Sequence, residues 1–240
     1  MTSRFKSLEL LRILNSLPEN EVGKKPLGGN HDVDPTMLLL RSWQAERMKT
    51  TYADLVADAQ YRPAALFLLN DIYNPREYGV REGEVEHLRD FLSGFLPGST
   101  TRMLDEAIEL YRLTDALDVK LARVLVDRLG MRDELDVALY AEGYRVCGNY
   151  EQRLEQIETI VGLLKEVLAG SRNPMVGMAL RLAHKPAKAA GWGDLFDFLE
   201  RGYAAIKSLP PSNEFINIIQ RRETRILNQI YAGDPDPFTI

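Results

Sequence analysis

The chain has 240 residues, of which 45% are hydrophobic and 27% charged, and its net charge is −5. That is the composition of a folded globular protein with length enough for a real core, and the acidic balance argues against nonspecific nucleic-acid binding, which needs a basic surface to neutralise phosphates. The lone cysteine, Cys147, excludes an intrachain disulfide and a cysteine-built zinc site.

At the N-terminus charged residues (Arg4, Lys6, Glu9, Arg12) alternate with Phe5, Leu8, Leu10 and Leu11. A secretory leader needs an unbroken apolar stretch, and a bilayer span needs roughly 18 to 20 apolar residues. Neither is present, so the chain is expected to be cytoplasmic, without stable membrane insertion. Residues 3–17 read as a short amphipathic helix. Residues 18–33, with Pro18, Gly23, Pro26, Gly28 and Gly29, read as a mobile connector. Residues 1–33 are therefore expected to form a helical arm and residues 34–240 an all-helical domain. A helix that short must dock to persist, on its own body or on a second copy, and the second outcome would make a homodimer.

Asp34-Pro35 pairs an N-cap with a proline at the first helical position. It opens a helix to about residue 60, with Leu38, Arg41, Ala45, Met48, Tyr52, Leu55 and Ala59 on one face. Pro63 opens a shorter helix that ends before Asn74-Pro75, and Gly83 to Ser93 is another. Residues 101–129 predict the longest helix. Met103, Ala107, Leu110, Thr114, Leu117, Leu121 and Val124 form one apolar stripe, and Leu104, Ile108 and Tyr111 broaden it. Asp133 is expected to cap a helix to about Arg145. In residues 150–168, Leu154, Ile157, Val161, Leu164 and Leu168 recur at steps of three and four, with Arg153 off that stripe. Asn149 and Gln152 fit a capping box there, and Gly170 a stop. Helices follow at 174–184 and 193–208. Pro210-Pro211 breaks the chain, Ser212 caps, and a last helix runs to about Tyr231. Asp234-Pro235-Asp236-Pro237 is incompatible with a helix. No alternating strand and no Asn-Gly hairpin signal occur. The fold class is all-α, a multi-helix bundle of about nine helices with an N-terminal helical arm.

Chemistry-bearing motifs are sparse. His31, His87 and His184 lie far apart. Glu84 and His87 have the Glu-x-x-His spacing, but carboxylate-bridged metal bundles use two such motifs plus two further glutamates, so no metal and no cofactor are expected. His184, just before Lys185-Pro186, reads as a helix-end histidine. Gly191-Trp192-Gly193 reads as a tight turn. No catalytic residue emerges. The informative feature is charge inside apolar segments. Asp115 and Asp118 interrupt the long helix. Glu200 and Arg201 are hemmed in by Leu195 to Tyr203. Arg222 falls on the stripe Phe215, Ile219, Ile226 and Ile230, with Glu223 beside it. Buried charges must be paired. These six residues are therefore either structural ion pairs or the lining of a ligand pocket. The short Pro-Pro turn favours antiparallel neighbours, which predicts a pair of Glu200 or Glu223 with Arg222 or Arg201.

Three stretches resemble a family of uncharacterised bacterial proteins named for a Phe-Phe-Leu-Glu-Glu-Leu-Tyr motif. They are Phe67-Leu68-Leu69-Asn70-Asp71-Ile72-Tyr73 before Asn74-Pro75; Phe198-Leu199-Glu200-Arg201-Gly202-Tyr203 after Pro186-Ala187 and Gly191; and Arg222-Glu223 in the last helix. Asn70 and Asp71 stand where the motif has glutamates. The resemblance runs from about residue 34 to 231 and implies a bacterial, helical protein without an assigned activity. Two functional readings remain open. One is a non-enzymatic interaction or scaffold protein that self-associates. The other is a helical protein, enzyme or not, that binds a small molecule or cofactor in a polar pocket. A dry interior with every charge paired favours the first, and a polar cavity the second.

Overall fold

A computed structural model describes residues 34–73 and 98–239. The expected arm and connector, and the helix expected at 83–93, lie outside these residues. The described residues are helical throughout their regular structure, with no strand. In chain order the helices are α1 (Pro35–Thr51), α2 (Ala53–Ala57), α3 (Arg62–Phe67), α4 (Gly98–Arg123), α5 (Val137–Cys147), α6 (Tyr150–Ser171), α7 (Pro174–Ala189), α8 (Gly193–Lys207) and α9 (Glu214–Ala232). π-helical turns extend α3 over Leu68–Ile72 and α4 over Val124–Arg128. No helix among the described residues is long and apolar enough to cross a membrane.

Several helix ends depart from the sequence expectation. The helix expected to reach residue 60 breaks at Tyr52, which leaves helical geometry at φ −114 and ψ 17 while its hydroxyl donates to Glu223 on α9 at 2.8 Å. A tertiary hydrogen bond thus overrides local propensity. The cap of α5 is Asp136, whose side chain accepts from Leu139, and not Asp133. Asn149 makes no side-chain cap, because its Oδ1 accepts from the Tyr231 hydroxyl at 3.3 Å, and α6 runs past Gly170. The last helix starts at Glu214 with no side-chain cap, so Ser212 has no capping role. Helix α7 continues through Pro186 to Ala189. Pro186 has no N–H for the Leu182 carbonyl, and the helix ends within one turn of it. His184 is therefore inside the helix and not at its end. Gly191, at φ 85, makes the expected tight turn into α8 and leaves Trp192 buried.

Among the described residues the core has three parts. Met48, Tyr52 and Leu55 of α1 and α2 pack with Leu164 and Leu168 of α6 and with Phe215, Ile216 and Ile219 of α9. Leu40 of α1 packs with Leu121, Leu125, Tyr140, Ala141, Ile226 and Ile230. A smaller cluster, Leu180, Ala183, Ala187, Trp192 and Phe196, joins α7 to α8. Helices α1 and α9 thus enter one core with one half and the other core with the other half. The residues between, 41–47 on α1 and 220–225 on α9, fall at the seam, and there the sequence puts Arg41, Gln44, Arg47 and Glu223.

Candidate functional site: a charged cavity between two cores

The seam holds a cavity of about 270 Å³ that is partly open to solvent. Helix periodicity populates it. On α1, Arg41, Gln44 and Arg47 recur at steps of three and so share a face. On α4, Thr114 and Asp115 lie four and three residues before Asp118, and on α5 Tyr140 and Tyr144 are four apart, so each set shares a face. Helix α6 adds Arg153, Gln156, Ile157 and Ile160. Helix α9 adds Ile219, Glu223 and Ile226. Tyr73 and Phe238 complete the wall.

The charges form cross-helix pairs. Arg41 Nη2 donates to Asp115 Oδ1 at 2.7 Å. Arg47 Nη1 donates to both oxygens of Glu223, at 2.8 and 3.1 Å. Arg153 Nη1 lies 3.5 Å from Asp118 Oδ1 and donates to Gln156 Oε1 at 3.2 Å, while its Nη2 donates to the Leu117 carbonyl. Gln44 donates to Asp118 Oδ1 at 3.2 Å, and Gln156 to the Thr114 hydroxyl at 2.8 Å. The Tyr140 hydroxyl donates to that of Tyr144 at 2.9 Å. Arg153 lies over the Tyr144 ring, and Arg47 over Phe238. The Nε atoms of Arg47 and Arg153 are buried without an acceptor among the described residues.

Burial sets the protonation states. It pushes the Asp118 carboxyl above the usual aspartate range, against the opposing pull of Arg153 and of the Gln44 amide. Burial, and then the nearby Glu223 carboxylate, holds the Tyr52 and Tyr73 hydroxyls well above the ordinary tyrosine value. Tyr144 is raised chiefly by burial. These hydroxyls stay neutral at physiological pH and act as hydrogen-bond groups, not as anions.

Of the six residues singled out by sequence, the structure brings Asp115, Asp118 and Glu223 to this cavity. Arg222 lies outside it, held by Asp54 at 2.7 and 2.6 Å and by the Thr51 carbonyl. Arg201 pairs with Asp71 at 2.7 Å. Glu200 lies on α8 near His184 and Asp197, and these three place one ligand atom each within 4.8 Å of one another. His184 Nε2 is 2.9 Å from Asp197 Oδ1. The expected pairing of Glu200 or Glu223 with Arg201 or Arg222 does not form. Arg222 turns to Asp54 of α2 and Arg201 to Asp71 after α3, while Glu223, one residue on and about 100° further around α9, meets Arg47 of α1.

Sequence reasoning missed Arg41, Gln44, Arg47, Tyr140, Tyr144, Arg153 and Gln156 as site residues. A signal for one was present, since Arg41 was already on the apolar face of its helix. Arg153 is off the apolar stripe read from the sequence, yet it lies four residues before Ile157 and seven before Ile160, which face inward. The three stretches of the motif resemblance come together. Phe67 packs at a tilt against Phe198 at 5.2 Å, Asp71 meets Arg201, and Tyr73 lines the cavity with Glu223.

These features define an all-α protein with a charged cavity at the junction of two cores. A family model described as Domain of unknown function (DUF8198) matches residues 28–237, and the chain belongs to that family. No curated protein and no solved structure matches the chain.

Proposed function

We propose that this protein binds a small polar molecule in the cavity framed by α1, α4, α5, α6 and α9. The observation that carries the reading is that cavity itself. Three arginines and three carboxylates converge on about 270 Å³ of space at the junction of two apolar cores. Placing six charges there is expensive, and a purely structural role would be met as well by apolar residues. Ligand sites combine apolar walls with a few convergent polar groups in this manner, at volumes from about 300 Å³ upward. Native mass spectrometry of protein purified from its own host, with melting temperatures against a metabolite panel, tests the reading. A retained mass, or a saturable stabilisation abolished by the cavity-filling Ile160→Trp, is expected. No ligand of any class, together with an unperturbed Ile160→Trp variant, would sink it.

A second reading, an interaction or scaffold role, rests on a different surface. Met175, Met178 and Leu182 lie at steps of three and four along α7 and are 65%, 50% and 69% exposed. An apolar stripe of that kind favours protein contact. Light scattering of the full chain and of Leu182→Glu tests it, since a monomer in both cases removes the support for self-association. Membership of the bacterial Phe-Phe-Leu-Glu-Glu-Leu-Tyr group and a cytoplasmic location belong to the same proposal. They are supported by the motif stretches and by the charged N-terminal sequence.

A further inference from the structure

We infer that the cavity's ligand is a zwitterion of the α-amino-acid type, with its ammonium on Asp118 and its carboxylate between Arg41 and Arg47. The inference rests on the cavity being a ligand site, as proposed above.

Charge balance is the first argument. Among the described residues the lining carries Arg41, Arg47 and Arg153 against Asp115, Asp118 and Glu223, and no lysine or histidine. An anion would add an uncompensated charge to a balanced, largely buried site, and so would a cation. Such a charge is costly where water is scarce. A ligand with both poles adds none.

Unspent hydrogen-bonding capacity is the second argument. Asp118 is 4% exposed, and both its contacts fall on Oδ1, so Oδ2 accepts from no described residue. Arg41 bonds through Nη2 and Arg47 through Nη1, which leaves Nη1 of Arg41 and Nη2 of Arg47 without an acceptor among the described residues. The site therefore offers an acceptor to a donor and donors to an acceptor. Placement is the third argument. Gln44, which holds Asp118, lies midway between Arg41 and Arg47 on one face of α1, and six residues of helix span about 9 Å. The face of α1 that reaches Asp118 through Gln44 is thus the face that carries both guanidinium groups, and Arg41 acts electrostatically on Asp118. An α-amino acid needs that arrangement, because its ammonium and carboxylate are adjacent. The hydrocarbon wall of Ile157, Ile160 and Ile219 suits its side chain.

The test is calorimetry and thermal shift on the full chain with the free L-amino acids. Each is run beside its N-acetyl derivative, which lacks the ammonium, and its amide, which lacks the carboxylate. Acetate, inorganic phosphate and neutral sugars run in parallel. At least one free amino acid is expected to bind, with both derivatives weakened about ten- to a hundredfold, the range of one lost charge-assisted hydrogen bond. Arg41→Met, at the more exposed end of the site, should lower affinity for the free acid and leave that for the amide unchanged. If a derivative binds as tightly as its parent, or if acetate, phosphate or a sugar binds and Ile160→Trp abolishes it, the zwitterion assignment is wrong while the cavity reading stands. If nothing binds and Ile160→Trp is neutral, both fall.

Discussion

Asp118 and Asp54 each meet an arginine brought from another helix, Arg153 on α6 and Arg222 on α9. The outer pair has the better geometry, with two parallel bonds at 2.7 and 2.6 Å. The inner pair is 3.5 Å apart. Burial reverses the ranking. The Asp54 side chain is 59% exposed, whereas Asp118 and Arg153 are 6% and 5% exposed. Water already satisfies and screens the outer charges, so their attraction adds little. The inner charges have lost that water and depend on each other, on Gln44 and on the Leu117 carbonyl. Distance alone would rank the two pairs wrongly. What differs is the cost of leaving one partner alone.

The largest predicted effect follows. Arg153→Met strands Asp118 in the interior and is expected to cost about 3 to 5 kcal/mol in urea unfolding. The double variant Arg153→Met with Asp118→Leu should recover much of that loss, since an apolar pair of similar volume is often neutral. A loss under about 1 kcal/mol for the single variant would mean that the inner pair is solvated like the outer one. Next in size is Gly202→Ala. Its Cβ would lie 2.7 Å from Cζ of Phe67, a ring already packed at a tilt against Phe198, so the ring has little room to retreat. Overpacking of this kind costs about 1 to 3 kcal/mol. Gly162→Ala on α6 is the control, with nothing within 4 Å of the new methyl group, and is expected to be neutral or stabilising.

Much of the fold was legible because long amphipathic stripes report burial directly. Leu117 and Leu121 on α4, and Phe215, Ile219, Ile226 and Ile230 on α9, are buried as their spacing implied. Helix ends were less legible, since Tyr52 and Asn149 spend their polar groups on partners far along the chain. The cavity was half legible. Asp115, Asp118 and Glu223 stood out as charge within apolar segments, but their partners did not. Arginine occurs on solvated helix faces so often that Arg47 carries no mark of burial in its own neighbourhood, and Arg153 carries only its place ahead of Ile157 and Ile160. Which arginine meets which carboxylate depends on contacts more than thirty residues apart, and helical spacing cannot encode those.

The smallest effect is also the one that separates the two aspartates most cleanly, because pH moves them in opposite directions. Burial raises the Asp118 carboxyl in the folded state. Above the unfolded value of about 3.9 the folded protein then holds a proton that the unfolded chain has lost, so Asp118 reduces stability as pH rises through this window and levels off beyond it. Asp54 is shifted the other way. Its hydrogen bonds with Arg222, more than its slight desolvation, hold its carboxyl below the usual range. Its contribution is present above about pH 3.9 and is lost as pH falls through the lower folded value. Urea midpoints from pH 3 to 7 should therefore show Asp118→Asn flattening the decline on the neutral side of pH 4. Asp54→Asn should flatten the fall on the acid side. At pH 7 Asp54→Asn is expected to cost at most about 1 kcal/mol, as an exposed pair does. A larger cost there, or parallel pH profiles for the two variants, would mean that burial does not separate the inner pair from the outer one.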